Sequence, residues 1–334
     1  MRCRFRAATF IQVFDAEFNM SSQLHVVFGA GSLGYAVAAA SLANGHQVRI
    51  ASRSGRADAP PGATVAKADA TDPKAVQAAC EGASALIFCA APPYTDWLTQ
   101  YPAMQRGVVD GAAAAGARLV TAENVYVYGR TDAPMTEDTP WNPNSKKGEL
   151  RARLNQELLD AHRAGKVQVA LGRAPDYYGP RATLTTVYGD QVFGRAIQGK
   201  AANVFGDIEA LHTFAYVDDF ARGLVALAET PAAAGQVWHV PCAPPLTQRA
   251  MLEHVYAAAG GPMNARAMPG FMLTVLGWFM PIMRELGEMD YQWRMTYDFR
   301  HDKFDAAFPD VASAVVGHAD GAARTVARFR NPKG

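Results

Sequence analysis

Leu24-His25-Val26-Val27-Phe28-Gly29-Ala30-Gly31-Ser32-Leu33-Gly34 is the stretch that decides the fold. Leu24–Phe28 is a short run rich in Val, the mark of a strand buried in a parallel sheet. It enters three glycines spaced Gly-x-Gly-x-x-Gly. Tyr35–Ala43, rich in Ala and Leu, then reads as a helix, Asn44-Gly45 stops it, and His46–Ala51 is the next strand. Strand, glycine turn, helix and strand within about 30 residues form a unit built to bind a dinucleotide. Gly29 permits the tight turn, Gly31 lets the backbone reach a pyrophosphate, and Gly34 lets helix and strand approach closely. Ser32, Leu33 and Gly34 carry N–H groups at the positive end of the helix dipole, where phosphate is favoured.

The end of the second strand selects the dinucleotide. An NAD site usually places Asp or Glu there to accept from the ribose 2′-OH. This chain has Ser52-Arg53-Ser54-Gly55-Arg56 and no acid until Asp58. Arg53 matches a 2′-phosphate by a charge-assisted fork, with Ser52 and Ser54 beside it. The expected cofactor is therefore NADP(H) in preference to NAD(H); the alternative is that Arg53 is only a solvated surface side chain.

Strands and helices continue to alternate. Ala63–Ala68, Ala85–Cys89, Ala117–Thr121 and Val167–Leu171 read as strands; Asp72–Glu81 and Tyr101–Gly116 read as helices. The fold class is α/β, a doubly wound parallel sheet of the Rossmann type, with ligands at the carboxyl ends of the strands. After Gly179 the composition shifts to Thr, Gly and aromatic residues. Thr185–Gln198 reads as an amphipathic helix, Ala202–Phe205 as a strand, and Val217–Glu229 as a helix returning to the sheet. Gln236–Val240 is a further strand, and Thr247 caps a helix that runs through Ala259 to Gly260-Gly261. The organisation expected is an N-terminal tail over 1–21 with Met20 as the effective start. A dinucleotide-binding domain over 22–178 and 211–240 follows, with a smaller, mainly helical substrate domain over 179–210 and 241–334.

Composition excludes several classes. The 334 residues are 49% hydrophobic and 19% charged, with a net charge of +1. A sizeable core is available, and neither disorder nor a strongly basic nucleic-acid surface fits. The four cysteines are scattered without a CxxC, which fits a reducing, cytoplasmic compartment. No histidine pair has metal-ligand spacing, so no metal is expected. The longest apolar stretch, Met268–Met283, is interrupted by Pro269, Gly270, Gly277 and Pro281. It is too short for a membrane span and reads as a buried or lid helix.

From Leu24 to Phe329 the chain resembles the extended short-chain dehydrogenase/reductase family, the NAD-dependent epimerase/dehydratase-like group, in an atypical form. The resemblance rests on the glycine turn, Asp69, Ala90-Ala91, Val127-Tyr128-Gly129, the run Gly172–Pro180, and Phe214–Asp219. It implies that Asp69 contacts the adenine and that Ala90 and Ala91 line the nicotinamide side. It also implies a small-molecule substrate, and a homodimer is the expected assembly. Three departures stand out. The glycine pattern is one residue shorter than usual. Asn124 stands where the catalytic Ser or Thr belongs. The Tyr-x-x-x-Lys pair, counted back from Glu157, falls on Glu149 and Arg153.

An adjacent cation is what makes a phenol a useful acid or base. Tyr126 is the replacement proton donor and Asn124 the partner for a substrate oxygen. Lys147, Arg151 or Arg153 supplies the cation, with Lys147 the choice. The alternative is that Tyr126 and Tyr128 are packing residues and Ser145–Gly148 a solvated turn. Tyr94 and Trp97 are expected on one wall of the substrate cleft, and Tyr177, Tyr178 and His212 on another. The leading expectation is an NADP(H)-dependent oxidoreductase acting on a small organic carbonyl or alcohol. The alternatives are a nucleotide-sugar epimerase or dehydratase and a non-catalytic NADP(H)-binding sensor.

Overall fold

The computed structural model describes residues 22–183, 186–268 and 278–332. The expected tail, the start at Thr185 of the expected helix, and most of Met268–Met283 lie outside them.

Seven parallel strands form the central sheet: β1 Leu24–Phe28, β2 Gln47–Ser52, β3 Thr64–Lys67, β4 Ala85–Phe88, β5 Arg118–Glu123, β6 Val169–Arg173 and β7 Val237–His239. Their order across the sheet is β7-β6-β5-β4-β1-β2-β3. The direction of winding reverses beside β1, so the crevice of a doubly wound sheet opens between the carboxyl ends of β1 and β4. The register aligns Phe28 with Ala51 on one side and Phe88 on the other. Inner strands such as Ala85–Phe88 are buried along their whole length, as the continuous apolar runs require.

Helices cover both faces. On one side lie α1 (Ser32–Ala43) and α5 (Val217–Glu229); on the other lie α2 (Pro73–Ala79), α3 (Trp97–Ala115) and α4 (Lys146–Arg163). Asp72 caps α2 by accepting from Lys74 N. Gly116, left-handed at φ 69°, ends α3. Thr247 caps α6 (Gln248–Ala259), which stops at left-handed Gly260 as the sequence implies. A separate apolar cluster joins Tyr178, Tyr188, Phe193, Val204, Phe214, Met251, Val255 and Trp293. No helix of the described residues is long and apolar enough to cross a membrane.

Two expectations need correction. Thr185–Gln198 is not one amphipathic helix; it contains a short π-turn over Asp190–Gly194. Asp190 N donates to Thr183 O, folding the chain back at Gly189, where any side chain would strike that carbonyl. Ser145–Gly148 is not a solvated turn: helix α4 begins at Lys146, and Ser145 caps it by accepting from Gly148 N at 3.0 Å.

A chain of polar groups runs through the interior. Glu123 at the end of β5 pairs with Arg151 and accepts from Asn155, both on α4. Asn155 accepts from Arg173 at 2.7 Å, and Arg173 donates to the Tyr128 hydroxyl at 2.6 Å. The Tyr128 hydroxyl lies 2.6 Å from His239 Nε2, and His239 Nδ1 lies 2.7 Å from the Arg300 carbonyl. Since that carbonyl only accepts, Nδ1 carries the proton and Nε2 accepts from Tyr128.

This arrangement makes the fold acid-sensitive. Burial, and secondarily Arg173, pushes His239 down to about 3 from its ordinary 6.5. His25, also fully buried, is pushed to about 3 chiefly by burial. The unfolded chain takes up these protons as pH falls through 6.5, while the native state refuses them until about 3. Stability is therefore full above pH 6.5 and declines below it. The slope is at most about 1.4 kcal/mol per pH unit per histidine. Urea unfolding at pH 7 and pH 5 is expected to show a loss of roughly 2 kcal/mol per histidine; equal stability at the two values would contradict neutral, buried imidazoles.

Candidate active site

The glycine turn leaves β1 with Gly29 at φ 122°, a conformation that suits glycine alone. A Cβ on Gly29 would lie 2.8 Å from Ala90 N, and one on Gly34 would overlap the Gly29 carbonyl. These two positions are closed by backbone. Gly31 is different: a Cβ there would meet nothing within 4 Å. Gly31 is also the N-cap of α1, with no side-chain cap and no acid in the first turn. The first turn of α1 thus has no side-chain competitor for its N–H groups, and the space off Gly31 is open, which suits an anion site.

Beyond β2, Arg53 is exposed and its charge reaches Asp69. Asp69 accepts from the backbone and hydroxyl of Thr71, which lowers its pKa. Ser52 Oγ donates to Arg56 O at 2.9 Å, ordering the loop that carries Arg53. Ala90 and Ala91 follow β4 beside Gly29, with Ala91 exposed. The sequence-predicted cofactor residues thus line the carboxyl ends of β1, β2, β3 and β4.

The predicted catalytic residues also gather at that end of the sheet. Asn124 follows β5 and accepts from Tyr126 N at 3.1 Å, so its carboxamide shapes the loop. The Tyr126 ring stacks on Trp97 at 6.1 Å, and Trp97 meets Tyr94 edge-on at 5.1 Å. The Tyr94 and Tyr126 phenols are near enough that each influences the other's ionisation. Burial pushes both phenols above their ordinary range.

Lys147 is no solvated turn residue. Its side chain is 2% exposed, with Nζ 4.3 Å above the Tyr94 ring. It pairs with Glu285 and lies 3.8 Å from Glu288, both on α7 (Pro281–Glu288). Helix α4 explains the placement. Lys147, Leu150, Arg151, Leu154, Asn155 and Leu158 form its buried stripe, whereas Glu149 and Arg153 are exposed. Residues four apart share a helical face, so the inward-facing pair with Tyr-x-x-x-Lys spacing is Lys147 and Arg151. Counting back from Asn155, rather than from Glu157, reaches it. In neither register does a tyrosine stand first.

The remaining wall residues divide. Tyr177 is half-buried on a short strand beside Ala215. Tyr178 is fully buried, stacked on Phe193 at 6.0 Å, and is therefore a packing residue of the separate apolar cluster. His212 is 1% exposed, sandwiched between Trp293 and Tyr297, with Nε2 3.1 Å from Asp176. Sequence reasoning missed Asp176, Glu285 and Glu288. The stripe on α4 was a readable signal for Lys147 with Arg151, but nothing local announces acids that arrive from distant segments.

The sequence model of the NAD dependent epimerase/dehydratase family matches residues 25–240. The chain belongs to this family. Over 126 residues it is 31% identical to UDP-glucuronic acid decarboxylase 1 of Arabidopsis thaliana, a match spanning 35% of this chain and 29% of that protein. Among solved structures, the fold of the family recurs in UDP-glucuronic acid 4-epimerase from Bacillus cereus in complex with NAD. That likeness has a TM-score of 0.76 at 15% identity, covering 93% of this chain and 97% of the other. DesIV, a dTDP-glucose 4,6-dehydratase from Streptomyces venezuelae, gives a TM-score of 0.73 at 20% identity, covering 92% and 97%. The UDP-glucose 4-epimerase of Thermus thermophilus gives 0.73 at 18%, covering 92% and 99%.

The ion pairs of Lys147 tie α7 to the start of α4, where Glu288 also accepts from Lys146 N. Lys147→Ala leaves two acids beside an aromatic face without their cation. Residues 281–288 are expected to exchange amide hydrogen at least about tenfold faster, equivalent to 1.4 kcal/mol of lost protection. Hydrogen exchange read by mass spectrometry checks this, and unchanged protection would mean that the pairs do not hold the helix.

Proposed function

We propose that this protein is a nicotinamide-dinucleotide enzyme of the epimerase/dehydratase type, working at a secondary alcohol or carbonyl carbon. The observation that carries the proposal is the open, uncapped and acid-free turn at Gly31, which shares one sheet end with Asn124, Tyr126 and Lys147. Gly29, Gly31, Ser32, Leu33 and Gly34 would hold the pyrophosphate. Ser52 and Arg53 would hold a 2′-phosphate, Asp69 the adenine side, and Ala90 and Ala91 the nicotinamide side. When bound, the dinucleotide supplies a hydride acceptor or donor. Preference for NADP(H) is supported by exposed Arg53 and by the absence of a carboxylate directly after β2.

The chain's own groups orient the substrate oxygen. The Asn124 carboxamide and the Tyr126 hydroxyl are the hydrogen-bonding groups, and Lys147 is the nearby cation. Tyr126 remains a neutral phenol at working pH because burial raises its pKa, so it serves as a donor. Tyr94 and Trp97 wall the site and exclude water. Free Cys80, Cys89 and Cys242 support work in a reducing, cytoplasmic compartment.

Nucleotide-linked sugars are the first substrate class to test, because the relative and the structural neighbours bear the names of enzymes for that class. A small organic carbonyl or alcohol is the second. Its support is that the nearby cations are engaged: Lys147 by Glu285, and Arg181 by Asp58 and the Tyr35 ring. Calorimetry with NADPH, NADH and UDP- and dTDP-sugars, followed by absorbance at 340 nm against those sugars and an aldehyde and ketone panel, tests the reading. A cofactor that binds while every substrate is left unchanged would favour a sensor.

Two variants test the cofactor assignment. Gly31→Val is expected to abolish binding of both dinucleotides with the melting temperature retained, since the branched side chain fills space that no protein atom occupies. Arg53→Asp is expected to weaken NADPH at least about tenfold, or 1.4 kcal/mol, and to improve NADH relative to it. Unaltered NADPH affinity in either variant removes that residue from the cofactor site.

A further inference from the structure

Oxidising a carbinol requires a base for the hydroxyl proton. The hydrogen-bonding groups assigned above are donors. The carboxylates around them are mostly spent: Glu123 on Arg151, and Glu285 and Glu288 on Lys147. Asp176 has no lysine or arginine partner among the described residues. It stands three residues beyond the end of β6, on the catalytic side of the sheet, and its backbone carbonyl accepts from Ala215 N at 2.9 Å. Its side chain is 26% exposed, so a ligand can reach it.

Asp176 is braced from behind. His212 Nε2 lies 3.1 Å from its Oδ2. The imidazole is fixed between Trp293 and Tyr297, with ring centroids at 4.1 and 4.3 Å and planes within 4° of parallel. An ionised carboxylate only accepts, so His212 Nε2 carries the proton of this bond. Burial chiefly, and the Asp176 charge in addition, opposes ionisation of the phenols of Tyr94, Tyr126, Tyr188, Tyr291 and Tyr297. One carboxylate thus sits among hydroxyls that it helps to keep protonated.

We infer that Asp176, held by His212, accepts the hydroxyl proton of the substrate during oxidation and returns it during reduction. This rests on the hydride-transfer reading above. In the oxidative direction the substrate O–H bond breaks and its proton passes to the Asp176 carboxylate. The oxygen electron pair would form the carbonyl, the carbinol hydride passing to the bound dinucleotide, which would supply the acceptor. Reduction reverses each transfer. Tyr126 stays protonated throughout and hydrogen-bonds the oxygen.

The test uses the full chain with Asp176→Asn, Asp176→Glu and His212→Phe, each checked for an unchanged melting temperature and NADPH affinity. On a substrate the wild type turns over, Asp176→Asn is expected to lower kcat by about 10²–10⁴. Asp176→Glu should recover part of the loss, and His212→Phe, which keeps the stacking but not the hydrogen bond, should cost about tenfold. A second readout needs neither substrate nor cofactor. Tyrosine ionisation followed near 295 nm should move to lower pH in its high-pH part in Asp176→Asn, because the buried phenols of Tyr94, Tyr126, Tyr188, Tyr291 and Tyr297 have lost a negative charge facing them. In that titration Lys147, Glu285 and Glu288 also face Tyr94 and are unchanged. Wild-type kcat in Asp176→Asn, or an unshifted tyrosine titration, overturns the assignment of Asp176 alone. A wild type that binds NADPH and transfers no hydride to any substrate overturns the hydride-transfer reading, and the base with it.

Discussion

Glu123, Arg173 and His239 stand in register across three neighbouring strands, and the molecule is arranged around keeping that row paired. A buried charge left without its partner costs about 3–5 kcal/mol, a large share of the stability of any domain. The partners are therefore obligatory. Asn155 bridges Glu123 to Arg173, Tyr128 bridges Arg173 to His239, and Arg151 closes the end on Glu123. These bonds fix α4 against the sheet. They also fix the segment after β5 at Tyr128, two residues beyond Tyr126. The positions of Lys147, Asn124 and Tyr126 follow from this interior chain more than from anything at the surface.

The character of the site follows in turn. Aromatic rings surround it, so each polar group there loses water and must find a protein partner. Lys147 finds two acids and an aromatic face, and Asp176 finds His212. Phenols in such surroundings hold their protons, while a partly exposed carboxylate stays open to a ligand. On the reading proposed above, the chemistry would divide between fixed donors and one acceptor, instead of resting on a single phenol activated by a neighbouring cation.

How much of this could be read from the sequence depended on range. The glycine turn and the strands beside it were legible because each is local: Leu24–Phe28 and Gly29–Gly34 carry their own pattern. Val217–Glu229 and the capped helix from Thr247 to Ala259 were legible for the same reason. The helix expected over Thr185–Gln198 failed because a fold-back at Gly189 overrides its periodicity. Counting from Glu157, which lies on the solvent side of α4, lands on the exposed pair Glu149 and Arg153. The stripe of Lys147, Leu150, Arg151, Leu154 and Leu158 marks the inward side, and it was available in the sequence. Asp176 with His212, and Glu285 with Lys147, are pairings across 36 and 138 positions. No local pattern encodes them.

The last strand of the sheet has a consequence for how the chain can be divided. Val237–His239 joins the sheet only after the backbone has left it at Arg173 and built part of a separate apolar cluster. The buried row ends on this late arrival, and His239 in turn leans on the Arg300 carbonyl. No single cut therefore yields a self-sufficient nucleotide-binding half. A fragment ending before Val237 would expose the edge of β6 and leave Arg173 and Tyr128 without their histidine. The molecule is sewn rather than jointed. Exchanging its ligand-selecting parts with those of a relative means transplanting two segments together, and keeping the stitch between them.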